Sequence, residues 1–251
     1  NSQLVKLMPK IYRVIFRLDY PLSYQFLDSL GKVTDFVQTS FDNLPIQEKK
    51  VDLDILNRKI DAFCVDKNNN GLLFVVELQT IHGSFDFKNG AEIPQILKFF
   101  GVDLIHEMVN QLKLDSLKYF NRFGIRCLYL SDEPAFTFDS INRYILKQEK
   151  ILSNAFEHSG FSRDDSLIKI VGKKELNGLG VAYGPYQVSE SPKHFGIQPS
   201  VNEGLIIDID LFTSKLEAQK IDFKSKMELY LSEIDKLAKS IVSNLEKEIN
   251  V

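Results

Sequence analysis

The sequence has 251 residues, no tryptophan, two cysteines, 13 glycines and 8 prolines. So little glycine and proline excludes a fibrous or low-complexity chain. Two cysteines are too few for the disulfide framework of a small secreted domain. Because Cys64 and Cys127 lie in apolar runs, we expect two buried thiols.

Long hydrophobic runs and a basic charge excess are also missing. The charge-free apolar run from Leu72 to Val76 is far shorter than the roughly 20 residues of a membrane-spanning helix. We therefore expect no membrane-spanning segment, and the two unpaired thiols favour a cytoplasmic protein. Lys and Arg number 31 against 34 Asp and Glu, a net charge of -3. Phosphate contacts supply most non-specific affinity for nucleic acid, so we predict no general nucleic-acid binding.

What is present is typical of a globular domain: 44% apolar residues, 26% charged residues and 19 phenylalanines. Alternation of apolar residues from Tyr12 to Leu18 predicts a strand. Asn70-Gly71 and Asn177-Gly178 precede apolar runs and predict two hairpin turns. An apolar stripe at spacings of three and four over 223–249 predicts a long C-terminal helix. The polar segments 42–58 and 189–204 are predicted to be loops.

Similar elements recur in the same order in both parts of the chain, with the two Asn-Gly turns at matching places. We predict an α+β fold in which two pseudo-repeated strand-helix-strand-strand-strand-helix halves form a largely antiparallel sheet with helices on one face. The chain would then be a single domain, 1–251, built of two similar halves at about 1–115 and 116–251. The other face of the sheet would be open.

Three segments resemble a sporadically distributed family of uncharacterised prokaryotic proteins of about 250 residues, whose function is unknown. They are IYRVIFRLDYPL, NRFGIRCLYL and GLIIDIDLF, and within them Arg122, Gly124, Arg126 and Asp208 to Asp210 fit the family pattern. Cys127-Leu128 and Leu130-Ser131 depart from that pattern. The resemblance implies no catalytic residues. Its patchy distribution suggests an accessory bacterial factor, for instance one encoded by a mobile element or associated with phage defence.

No complete catalytic motif is found. The helix segment from His106 to Asn110 has asparagine where a zinc protease needs its second histidine. The glycine-rich run from Gly178 to Gly184 continues as a strand, whereas a dinucleotide loop must open a helix. These absences favour a protein that is not an enzyme.

One set of residues is nevertheless compatible with catalysis. Asp61, or alternatively Asp54 or Asp66, precedes a hairpin whose second strand ends with Glu77-Leu78-Gln79. Metal-dependent nucleases of the restriction-enzyme type place two carboxylates around Mg²⁺ in this way, with a third residue that polarises the attacking water. The alternative interpretation is that Glu77 and Gln79 form the solvated face of a strand.

The favoured hypothesis is a non-enzymatic binding protein that acts with a protein partner and needs no cofactor. The segment 185–204 offers Tyr186, His194 and Phe195 as candidate binding residues, because ordered loops often carry binding function. Two alternatives remain. One is a Mg²⁺-dependent nuclease that uses Asp61, Glu77 and Gln79, and the other is a small-ligand sensor that uses the open sheet face.

Overall fold

The computed structural model describes residues 9–22, 25–42, 46–99, 102–148 and 166–249. The described strands are β1 (Lys10–Asp19), β2 (Ile46–Asp54), β3 (Lys59–Asp66), β4 (Gly71–Val76), β5 (Thr80–Ala91), β6 (Tyr119–Ser131), β7 (Ile168–Lys174), β8 (Asn177–Gln187) and β9 (Glu203–Glu217). The described helices are α1 (Gln25–Asp42), α2 (Ile93–Phe99), α3 (Val102–Gln111), α4 (Phe138–Gln148), α5 (Ser191–His194) and α6 (Phe223–Ile249). This confirms the predicted α+β class.

The nine strands form one sheet in the order β2-β3-β4-β5-β1-β6-β9-β8-β7. Every neighbouring pair is antiparallel. β1 is the middle strand, and β2 and β7 are the two edges. In the described residues the first half contributes five strands and the second half four. A two-fold relation between the halves stays a prediction.

The main core lies between one face of the sheet and the helices. Along β1, Val14, Phe16 and Leu18 are buried, while the intervening Ile15 is half-buried and Arg17 is exposed. These buried residues share one cluster with apolar side chains of α1, α2, α3, α4 and α6. The period of two in the strands and the helical stripes therefore meet at one interface.

Helix α6 begins and ends where its apolar stripe predicts. Met227, Ile234 and Val242 are fully buried, and Leu237 and Ile241 pack against the same core while partly buried. The helix thus packs across its own sheet, as expected of an amphipathic surface helix.

The opposite face of the sheet is covered at one end, contrary to the expectation of a fully open face. Residues 188–202, here called the crossing segment, pack Phe195 and Val201 into a second, smaller cluster. Ile197 reaches the start of β4, where a Cβ at Gly71 would lie 3.1 Å from Ile197 Cγ2. The segment predicted as a plain loop therefore includes the short helix α5 and spans several strands.

A second prediction was wrong at the edge of the sheet. The segment 42–58, predicted to be a loop, contains strand β2. Glu48, Lys49 and Lys50 are all exposed, and among residues 48–54 of this edge strand only Val51 packs against the main core. Because none of residues 48–54 is fully buried, the strand has little need of apolar residues at alternate positions, which is the pattern a sequence would show.

Among the described helices, none combines the length and the hydropathy that crossing a bilayer requires.

Candidate functional site

The residues proposed for a Mg²⁺ site lie at one end of the sheet but are engaged elsewhere. Asp61, on β3, forms an ion pair with Lys59 at 2.9 Å between Oδ1 and Nζ. Glu77 and Gln79 lie in the turn between β4 and β5, not on a strand. The backbone N–H of Glu77 donates to the carbonyl of Thr80 at 2.8 Å, so this turn has a defined structure.

Asp61 and Glu77 do lie near one histidine. Burial lowers the pKa of His82, and the carboxylates of Glu77 and Asp61 act in the opposite direction. Within the described ranges, however, no group of three or more His, Cys, Asp and Glu side chains is arranged to hold a metal ion. Nuclease activity stays a prediction, and the described geometry adds no support for it.

Of the three binding candidates, Tyr186 lies on strand β8 and not in a loop as predicted, while His194 and Phe195 lie in the crossing segment. Tyr186 and Phe195 are buried, and their rings meet edge to face at 6.1 Å. The backbone carbonyl of His194 accepts a hydrogen bond from Nη1 of Arg13 at 2.7 Å. Burial lowers the pKa of the His194 imidazole, which favours its neutral form. Of the three side chains, only that of His194 is partly accessible for binding.

Arg13 of β1 and Asp86 of β5 contact the crossing segment from the sheet on which it packs. Nε of Arg13 lies 3.6 Å from Oδ1 of Asp86, and the backbone N–H of Gly196 donates to Oδ2 at 3.1 Å. Burial raises the pKa of Asp86 to about 6, against the opposing effect of Arg13. Arg13 and Asp86 thus hold the crossing segment through the backbone of His194 and Gly196.

Two further arginine–aspartate pairs link β6 and β9 on the same face. Arg126 donates through Nε and Nη2 to the two carboxylate oxygens of Asp208, at 2.7 and 2.5 Å. Nη2 of Arg122 donates to Asp210 at 2.8 Å, and the Arg122 guanidinium lies 4.1 Å from the centre of the Phe212 ring. These charges are therefore paired across strands.

A pocket of about 190 Å³ lies beside these pairs. Gly180 and Ala182, two small residues of β8, lie between Lys169 of β7 and Asp208 of β9 in its lining. This is where a small polar ligand would lie on the open face, and ligand binding there stays a prediction.

The outer strand β7 is the most exposed strand of the sheet. All its residues after Ile168 are exposed, including Ile170 at 68% and Val171 at 63%. Because successive side chains of a strand point to opposite faces, Ile170 and Val171 expose apolar surface on both faces. Lys169, Lys173 and Lys174 give the strand three positive charges and no negative one. Natural edge strands rarely combine exposed apolar side chains with an unpaired edge unless they bind something.

A groove continues this surface on the helix side of the sheet. It has a volume of about 480 Å³ and lies between the β7–β8 hairpin and α6. Leu179 and Leu211 line it from the sheet, and Tyr230 and the half-exposed Leu229 line it from the helix. Further residues that line the groove are charged: Lys174, Lys226 and Glu233. We call β7 and this groove together the β7 surface.

The hairpin turn predicted near Asn177-Gly178 joins β7 to β8, but the sequence patterns did not identify β7 as an edge strand. The available signal was the segment IKIVGKK, in which apolar residues stand at adjacent positions among lysines. A central strand buried on both faces would not carry three lysines, because charged side chains are almost never fully buried unless paired.

Comparison with protein-family models and with curated protein sequences finds no match for this chain. Membership of the family suggested by its three segments therefore stays a prediction.

Proposed function

We propose that this chain is a non-enzymatic interaction protein that binds an extended segment of a protein partner along β7. The observation that carries the proposal is the exposure of Ile170 and Val171 on an edge strand that has no outer neighbour among the described strands. An added strand would pair with the free edge of β7 through main-chain hydrogen bonds, and pockets for its alternate side chains would give specificity.

The two faces of β7 differ, and each favours a different kind of partner side chain. Side chains that face α6 would enter the groove lined by Leu179, Leu211 and Leu229. Side chains on the other face would lie beside Lys169, Val171 and Lys173, which share that face. Apolar residues suit the groove, and acidic residues suit the lysines. The preferred segment is therefore extended, apolar on one side and acidic on the other.

The proposal is tested with a fluorescein-labelled short peptide that alternates valine and glutamate, and a matched peptide that alternates valine and lysine. Fluorescence anisotropy at low ionic strength measures binding of each peptide to the full chain. We expect the glutamate peptide to bind more tightly, and added salt to weaken its binding because surface charges are screened. The double variant Lys169→Glu/Lys173→Glu should reverse the preference.

The matched control is Lys32→Glu/Lys118→Glu, which makes the same charge change at two exposed lysines away from the β7 surface. It should bind the glutamate peptide as the unmodified chain does. Equal binding of the two peptides, or a loss of binding in the control as large as in the β7 variant, would reject the proposal.

A further inference from the structure

The opposite edge of the sheet, strand β2, carries acidic residues, whereas β7 carries lysines. Strand β2 carries Glu48, Asp52 and Asp54, and the turn that follows it exposes Ile55 at 71% and Leu56 at 94%. Strand β2 also carries Lys49 and Lys50 and so has one net negative charge, whereas β7 has three positive charges and no negative one.

We infer that a second copy of this chain supplies the segment that binds β7, through its own edge strand β2. The inference rests on the proposed function, because it requires β7 to accept an added strand. Pairing β2 of one copy with β7 of the next would extend the sheet from copy to copy.

The topology fixes the direction of this pairing. Eight antiparallel steps separate β2 from β7 in the sheet order, so the two edges run the same way. A second copy placed beside the first, with its helices on the same side, therefore brings its β2 parallel to β7. Parallel pairs form evenly spaced, slanted hydrogen bonds and are only slightly less stable than antiparallel pairs.

The register of the sheet places opposite charges side by side in this arrangement. Following the paired residues from strand to strand puts Glu48 level with Lys169, and Asp52 level with Lys173. Lys50, which pairs with Asp52 in its own chain, is level with the uncharged Val171. Lys169 and Lys173 thus each lie level with a carboxylate, and opposite charges on neighbouring strands stabilise pairing.

Pairing of two β7 strands with each other is disfavoured by the same charges. A two-fold axis through Val171 would set Lys169 of one copy opposite Lys173 of the other, and like charges directly opposite are destabilising. The contact between β2 and β7 is heterologous, so repeated contacts build a row of molecules unless the row closes.

Sedimentation velocity of the full chain over a range of concentrations tests the inference. We expect the sedimentation coefficient to rise with concentration beyond that of a dimer. The variants Glu48→Lys/Asp52→Lys and Lys169→Glu/Lys173→Glu should each associate about tenfold more weakly, because each turns both charge pairs into repulsions. An equimolar mixture of the two variants should associate again, since each then meets an edge of opposite charge. The control Lys32→Glu/Lys118→Glu should behave as the unmodified chain does.

Two results would overturn the inference. The first is a chain that stays monomeric at every concentration, and the second is association that both edge variants retain. If the chain is monomeric but binds the valine–glutamate peptide, the inference fails and the proposed function stands, with a different protein as the partner. If that peptide also fails to bind, both fail.

Discussion

Asp86 is an acidic residue almost fully buried beneath the crossing segment. Its neighbours compensate its negative charge only in part, since Nε of Arg13 lies 3.6 Å from its Oδ1 and the Gly196 N–H donates one hydrogen bond to its Oδ2. Burial raises its pKa to about 6, so the folded protein binds this proton more tightly than the unfolded chain. The ionised carboxylate therefore costs folding free energy above pH 6, and the cost fades as the pH falls towards 4.

We predict that Asp86→Asn changes the pH dependence of stability. The unmodified chain should lose stability at this residue as the pH rises from about 4 to about 7, whereas the variant should not. The difference in unfolding free energy between variant and unmodified chain should shift in favour of the variant by on the order of 2–3 kcal/mol over that range. Urea unfolding at a series of pH values measures it.

The comparison isolates Asp86, because the half-buried His82 and His194 titrate in both proteins. Their lowered pKa values make both proteins lose stability as the pH falls, and this effect cancels in the difference. Asparagine also keeps an oxygen that can accept the Gly196 N–H. A free-energy difference that stays constant from pH 4 to pH 7 would contradict the assignment of this pKa to burial.

The charged residues of the central strands were visible in the sequence, but their partners were not. Arg122 and Arg126 alternate with buried residues along β6, so their common face could be predicted. Their partners Asp210 and Asp208 lie more than eighty positions away, and only the pairing of β6 with β9 brings them together. Gly124, between the two arginines, contacts β9 closely, since an added Cβ would lie 3.1 Å from the carbonyl oxygen of Leu211. No local pattern reveals such a contact.

At the scale of elements, helix α6 has one side that is buried against the sheet and another that is exposed. Ile234 is buried beneath it, while Leu229 is half-exposed at the groove. We predict that Ile234→Ala lowers the unfolding free energy by about 2–5 kcal/mol, because it leaves a cavity in the core. Leu229→Ala should cost less than about 1 kcal/mol. Urea unfolding of the two variants measures both values.

Both substitutions place alanine at a position of the same helix, so the difference between them reports burial more than helix propensity. Similar losses of unfolding free energy in both variants would mean that α6 does not bury Ile234 against the sheet. In the peptide assay, by contrast, Leu229→Ala should weaken binding of the valine–glutamate peptide more than Ile234→Ala does, because Leu229 lines the groove.

The elements that sequence patterns predicted well share a strong local signal. Helix α6 has a stripe over 27 residues, and hairpins join β3 to β4 and β7 to β8 close to the two predicted Asn-Gly turns, although Gly71, Asn177 and Gly178 themselves lie in the strands. Strand β2 and the crossing segment lack such a signal. The first has only Val51 of its residues 48–54 packed against the core, and the second is held by distant contacts such as that between Gly196 and Asp86. Tertiary contacts therefore decide what local propensity leaves open.

At the scale of the whole molecule, the two halves of the chain share one core. β1 pairs with β6 from Lys10 to Asp19, which joins the halves along the middle of the sheet. Helix α6 of the second half packs against α2 and α3 of the first. Buried residues of both halves, among them Phe16 and Phe123, belong to one continuous cluster. The order of the strands could not be predicted from the sequence, because these pairings join distant segments.

We predict that neither half folds alone. A fragment of residues 1–115 would expose the edge of β1 that β6 covers and the core residues of α2 and α3 that lie beneath α6. Each fully buried Leu, Ile or Phe contributes roughly 1.5–3 kcal/mol, so losing several such contacts exceeds the 5–15 kcal/mol that stabilises a typical domain. Near-ultraviolet circular dichroism and urea unfolding should show no cooperative transition for 1–115 or for 116–251, whereas the whole chain unfolds in a single step. Mixing the two fragments should restore part of the spectrum, because β1 and β6 can then pair between them. A fragment 1–115 that unfolds cooperatively by itself would establish two independent domains and contradict the shared core.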